Sequence, residues 1–241
     1  DYSKDEIWVY CIRMYHAVYT LNKKKLLKFG YQLLKRYPEA KVNLSLTPYL
    51  YPIYRFHAMH IVYQYYSEPK TPFSWYEQKM TEYNDDIYGD ESLQRIFRPG
   101  FFSEALFIAN QHALLLNCFS ETLCKLKADH SDQTNKTDCL SYEEIQFVFY
   151  YHISYLFVHG SIEFNERTGF VYSNEIITKE GLDSQLMRTY FSKMIQSVYP
   201  ENILQRKQLL KEASTVAKKM NYTYFVEITK IVATHFSKNN P

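Results

Sequence analysis

An all-α fold, either an irregular multi-helix bundle or a short helical-repeat-like solenoid of about nine helices, follows from three observations. Apolar residues recur at helical spacing along most of the chain, capping-box patterns stand where such stretches begin, and glycine is scarce. Only 6 glycines occur in 241 residues, where average usage of roughly 7% would give about 17. Few glycines argue against sheets joined by tight turns. They argue equally against phosphate loops, which need glycine to bring backbone close to a ligand.

Composition narrows the class further. Hydrophobic residues make up 46% of the chain and charged residues 22%, enough apolar surface to exclude intrinsic disorder. The chain has 24 tyrosines and 16 phenylalanines, so its core must satisfy many buried hydroxyls. A net charge of +2 is too small for whole-protein attraction to nucleic acid or anionic lipid; such binding would need a local patch. Cys11, Cys118, Cys124 and Cys139 are irregularly spaced, without C-x-x-C, and read as reduced thiols of an intracellular protein, cytoplasmic or nuclear. No uninterrupted apolar run reaches the roughly 18 residues of a membrane span. No secretory signal is expected.

The elements follow in order. Ser3 and Glu6 form a capping box before a helix over 7–21, with Trp8, Cys11, Ile12, Tyr15 and Tyr19 near helical spacing. Asn22 caps a second helix over 23–37, which Pro38 is expected to stop. Thr47-Pro48 reads as a cap with a first-turn proline, opening an aromatic helix to about Ser67; Pro52 is the alternative start. After the connector 68–72, Ser74 and Glu77 form a second box, leading an acidic helix that fades by Gly89. A short piece over 91–97 should end at Pro99-Gly100, and 103–127 reads as a long central helix, apolar around most of its circumference. The polar segment 129–138 reads as a loop. Ser141 and Glu144 form a third box, opening a helix over 142–159. For 161–172, a small β-hairpin and an irregular loop stand as equal alternatives. Helices over 181–199, 200–220 and 222–237 complete the chain, with Pro200 in a first turn. The whole reads as one α-helical domain over 1–241, with a subdivision into 1–128 and 140–241 around the loop 129–139 as the alternative.

Two phrases, Tyr37-Pro38-Glu39 and Tyr199-Pro200-Glu201, resemble the helix-pair endings of tetratricopeptide-type repeats. No 34-residue period carries through, so the family is not assigned.

Three groups of residues are candidate sites. The first is Arg55 and His60, whose spacing resembles the R-x4-H motif of the all-α HEPN ribonucleases. The resemblance implies that the pair would activate a ribose hydroxyl and stabilise phosphate charge. Phe56 departs from the small polar residue usual after that arginine. An i,i+5 spacing also sets the side chains about 140° apart on a helix. His57 and His60 stand at i,i+3, but no Asp, Glu or Cys with ligand spacing accompanies them, so no metal site is assigned. No G-x-S-x-G, dinucleotide fingerprint or phosphate loop occurs, and no cofactor is implied. The second group is a basic patch on two helices: Lys24, Lys28 and Arg36, within a stretch of six cations and no acid, and Arg206 and Lys211.

The third group is the tyrosine run. Tyr49, Tyr51, Tyr54, Tyr63, Tyr65 and Tyr66, followed by Phe73 and Trp75, cannot all enter one core from one helix. Some should line a groove, so Tyr49, Tyr51, Tyr54, Tyr63, Tyr66 and Trp75 are the expected partner-binding residues. The expected function is therefore a non-catalytic helical interaction domain that binds a protein or peptide, in an adaptor, regulatory or complex-subunit role. A nucleic-acid-associated protein using the basic helices 23–36 and 206–219 is the alternative. A ligand- or peptide-sensing regulator and a HEPN-like ribonuclease through Arg55 and His60 follow.

Overall fold

Ten helices and no strand make up the described residues of the chain, which is an all-α helical bundle. The structure, a computed structural model, describes the backbone of residues 2–45, 51–85, 91–131, 141–161, 182–199 and 202–239. Side chains are described within 7–37, 53–83, 99–126, 141–161, 185–199 and 202–238, and at Ala128. The helices are α1 Tyr2–Tyr19, α2 Lys23–Ser45, α3 Tyr51–Ser67, α4 Phe73–Asp85, α5 Glu91–Ile108, α6 His112–Ser131, α7 Tyr142–His159, α8 Leu182–Val198, α9 Arg206–Lys219 and α10 Thr223–Asn239. They fall into two compact units, Asp1–Leu115 and Leu116–Pro241. The division lies inside α6, upstream of the polar segment 129–139; residues 132–140 lie outside the described residues.

In the first unit, α3 is the inner element. Ile53, Tyr54, Phe56, His57, Ala58, Met59, Ile61 and Val62 are all buried, as expected of a helix apolar on every side. It packs against α1, α2 and α5. From α1 come Ile7, Cys11, Met14 and Val18, spaced four, three and four apart and all buried. From α2 come Leu26, Gly30 and Leu33. Gly30 is required by a close approach: a Cβ there would run into the Tyr63 ring of α3.

In the second unit, α7 plays the same part. Every residue from Ile145 to Ser154 is buried. Phe149 lies 5.7 Å from Tyr190 and 4.7 Å from Phe191, centroid to centroid, and Tyr190 lies 4.7 Å from Phe225 of α10. The Tyr190 hydroxyl donates to the Phe225 carbonyl at 2.9 Å, which satisfies a phenol deep in this core. At the ends of α7 stand the expected capping box of Ser141 and Glu144, and a left-handed C-cap at Gly160, φ 78°. His235 of α10 donates to the Gly160 carbonyl at 2.6 Å.

One turn recurs three times. Leu21, Asn110 and Asn221 have φ of 54°, 53° and 59°. In each case the left-handed residue donates to the carbonyl three residues back, and the next residue to the carbonyl five back. The second of these bonds are Asn22 to Ala17 at 2.7 Å, Gln111 to Leu106 at 2.8 Å and Tyr222 to Ala217 at 3.2 Å. This is the Schellman arrangement, and in each case the following helix starts two residues after the left-handed one. Asn22 then caps α2 by accepting the Lys25 N–H at 3.0 Å.

Several expected boundaries are corrected. α2 runs through Pro38 to Ser45, and α5 runs through Pro99 and Gly100. A proline removes one helical hydrogen bond and crowds one carbonyl, a local penalty that tertiary packing overrides. In α5 the override is visible, because residues 99–108 are buried without exception. The expected long helix over 103–127 is instead the end of α5 and the start of α6, broken by the left-handed Asn110. Its α6 part is not central, since Ala113, Asn117, Cys118, Glu121 and Cys124 are exposed. α3 starts at Tyr51 with Pro52 in its first turn, the alternative start. α4 starts at Phe73, which puts Ser74 inside the helix rather than at its cap. α9 starts at Arg206, so Pro200 does not open it. The segment 162–181, with the hairpin expected over 161–172, lies outside the described residues.

Candidate functional site

The candidate residues concentrate on α3, and the helix sorts them by face. Arg55 turns toward α1 and α5. Its guanidinium carbon lies 4.3 Å from the Tyr15 ring centroid, 4.7 Å from Phe101 and 5.4 Å from Trp8, an aromatic sleeve that suits a weakly hydrated planar cation. Beside it, Glu104 of α5 is buried and accepts a hydrogen bond from the Tyr19 hydroxyl. Burial and the nearby Glu104 hold the Tyr15 phenol well above its ordinary pKa, against the opposing pull of Arg55. Burial likewise pushes the Cys11 thiol up to about 12, which leaves it protonated and inert.

His57 and His60 turn toward α2 and α4. The Tyr37 hydroxyl shares a hydrogen bond with His57 Nε2 at 3.3 Å, and the Tyr83 hydroxyl one with His60 Nδ1 at 2.5 Å. His60 is lowered to about 4, chiefly by burial and next by the Lys79 cation. It is a neutral ring near pH 7. Lys79 is itself bridged to Glu82, whose carboxyl is held below its usual range by that bond. Arg55 and His60 therefore engage different helices, as their 140° separation requires. The structure does not bring the R-x4-H pair together. Among the described residues, no group of three or more His, Cys, Asp or Glu is placed to hold a metal ion.

The tyrosine run divides. Tyr54 is wholly buried, edge-on to Phe102 at 6.3 Å. It belongs to the core rather than to a partner-binding surface, because its face of α3 is the one covered by α5. Tyr49, and the side chain of Tyr51, lie outside the described residues. The remaining aromatics gather where α3 ends and α4 begins. Tyr63 packs over Gly30 and remains partly exposed. Tyr65 and Tyr66 stand edge-to-face at 5.1 Å, and the Tyr65 hydroxyl accepts from Asn110 Nδ2 at 2.8 Å. Trp75 stands edge-to-face with His60 at 5.7 Å, and Phe73 is 42% exposed. The connector holds its form through Gln64 donating to Glu68 at 2.8 Å and the Thr71 hydroxyl donating to the Glu68 carbonyl at 2.6 Å.

The basic patch also divides. Lys24, Lys28 and Lys211 are exposed and Arg36 half-buried. Arg206 is committed to the fold: its Nε donates to the Ser197 carbonyl at 2.8 Å, and its guanidinium lies 3.8 Å from the Phe236 centroid. Sequence reasoning missed Tyr83, Gly30 and the buried Glu104. The last had a signal, a lone acid in the apolar stretch Phe101–Leu106. Comparison with protein-family models, with curated proteins and with solved structures finds no match for this chain.

Proposed function

We propose that the chain is a non-catalytic helical interaction domain, binding a protein or peptide through the aromatic surface at the α3–α4 connection. The observation that carries this reading is a set of part-exposed rings, Tyr63, Tyr65 and Tyr66 at the end of α3 and Phe73 and Trp75 at the start of α4, on either side of a connector tied down by its own hydrogen bonds. Such rings offer a large contact area at little rotamer cost, and a held backbone lowers the entropy lost on binding. Glu68, Lys70, Glu77 and Gln78 give the patch an exposed polar rim of the kind that surrounds interface cores. The test is site-specific crosslinking: a photoreactive aromatic amino acid at Phe73 or Tyr66 should yield one discrete adduct in extract of the native host. Absence of any adduct from either position would remove the reading.

Nucleic-acid binding is the second reading, favoured by one feature of α2. Its first turn holds no acid, while Lys23, Lys24, Lys25, Lys28 and Lys35 are exposed. Lysines at a helix N-terminus oppose the helix dipole, and a bound phosphate would offset that. Affinity for mixed-sequence RNA or DNA that falls steeply with salt, and falls again on Lys24→Glu and Lys28→Glu, is its signature.

A further inference from the structure

The turn between α8 and α9 inverts the usual arrangement of polar and apolar side chains. Among its described residues, the Asn202 side chain and backbone hydrogen bonds hold it in place. Asn202 Nδ2 donates to the Gln196 carbonyl at 3.0 Å, the Asn202 N–H to Tyr199 at 3.2 Å, and the Gln205 N–H to Asn202 at 2.9 Å. Arg206 locks the turn to Ser197 and Phe236 as described above. Its two aliphatics point outward: Ile203 is 55% exposed and Leu204 96% exposed. A fixed turn that presents an isoleucine and a leucine to solvent makes a protruding apolar tip.

Next to the tip lies a row of positive charge. At 100° per residue, Lys207, Lys211 and Lys218 of α9 fall within about 40° of one another. Continuing the same phase back through Gln205, which is itself in the right-handed helical region, brings Leu204 within about 60° of Lys207. All three lysines are exposed. The single acid of α9, Glu212, is set off to the side and ion-paired with Lys193 at 2.8 Å, so it does not cancel the row.

From the apolar tip and the lysine row together, we infer that the second unit docks on the surface of an anionic lipid membrane. Ile203 and Leu204 enter the boundary between headgroups and acyl chains, and the lysines lie against the headgroups. A nearly fully exposed leucine on a convex turn needs a partner that deforms around it. A bilayer does so without a preformed pocket or a matched register, whereas a phosphate backbone buries nothing against leucine. No helix among the described residues is long and apolar enough to cross a membrane, so the attachment is peripheral. Few CH2 groups enter, and the charge attraction is screened by salt, so binding is reversible and depends on both parts. This goes beyond the partner surface of the first unit and rests on different residues.

The test is co-sedimentation of the full chain with phosphatidylcholine vesicles, with and without phosphatidylserine. The expected result is binding to the phosphatidylserine-containing vesicles only, weakened by salt. Ile203→Ser with Leu204→Ser should reduce the affinity at least about tenfold at a melting temperature little changed, since Leu204 is almost wholly in water and Ile203 more than half so. Lys207→Gln with Lys211→Gln should also weaken binding, by a route that leaves the tip intact. Absence of binding, equal binding to neutral vesicles, or binding indifferent to the serine pair would each overturn the inference. So would a chain that prefers nucleic acid to vesicles, or one that uses the tip to form a dimer.

Discussion

Leu21 adopts φ 54° with its side chain 47% exposed, at a position equivalent to those of Asn110 and Asn221. A β-carbon in the left-handed region costs roughly 1–2 kcal/mol, and glycine avoids that cost at the price of some unfolded-state entropy. Leu21→Gly should therefore raise stability by about 0.5–1 kcal/mol in denaturant unfolding. Destabilisation would mean that the leucine makes contacts worth more than the strain. Two histidines of the first unit carry a second expectation at this scale. His60 and His112 are lowered from 6.5 to about 4, His60 by burial and then Lys79, His112 by burial. The unfolded chain takes up these protons below about 6.5 while the folded chain refuses them until about 4. Stability should thus be level above neutrality and fall as pH drops through that window. The ceiling is roughly 3 kcal/mol for each ring, reduced by the solvent each still meets. His60→Gln should flatten part of the slope, and an unchanged slope would remove His60 from the account.

At the scale of elements, the close approach of α2 and α3 at Gly30 makes a sharp prediction. Gly30→Ala improves helix propensity by roughly 1 kcal/mol but drives a methyl into the Tyr63 ring, an overpacking cost of about 1–3 kcal/mol. A net loss of about 1 kcal/mol is expected, turning neutral or favourable in a Tyr63→Leu background; a double-mutant cycle by thermal melting checks it. Helix identity was legible because periodicity is local; of the three expected capping boxes only Ser141 with Glu144 stands at a cap, whereas Ser3 and Ser74 lie inside α1 and α4. Boundaries at Pro38 and Pro99 were misread for the opposite reason. A proline's penalty is local, but the packing that outweighs it at Pro99 comes from residues far along the chain. The break at Asn110 was hidden inside an apolar run, since a single asparagine in the left-handed region leaves hydropathy almost untouched.

For the whole molecule, two compact units each enclose one helix apolar on every side, α3 in the first and α7 in the second. That division was not legible, because α6 runs through it without any change of composition. The candidate site was half legible. An excess of tyrosine on one segment announces that some rings must leave the core, but which ones depends on the neighbours each face of α3 meets. Tyr54 meets α5 and is buried; Tyr65, Tyr66, Phe73 and Trp75 lie past that cover. The measurement that bears most directly on this partition compares Tyr54→Ala with Phe73→Ala for melting temperature and for affinity to the crosslinked partner. Tyr54→Ala should cost roughly 3–5 kcal/mol of stability. Phe73→Ala should melt like the parent chain yet lose about 2 kcal/mol or more of binding. If Phe73→Ala binds as tightly as the parent, or loses binding only in step with its stability, the aromatic surface is not the contact site.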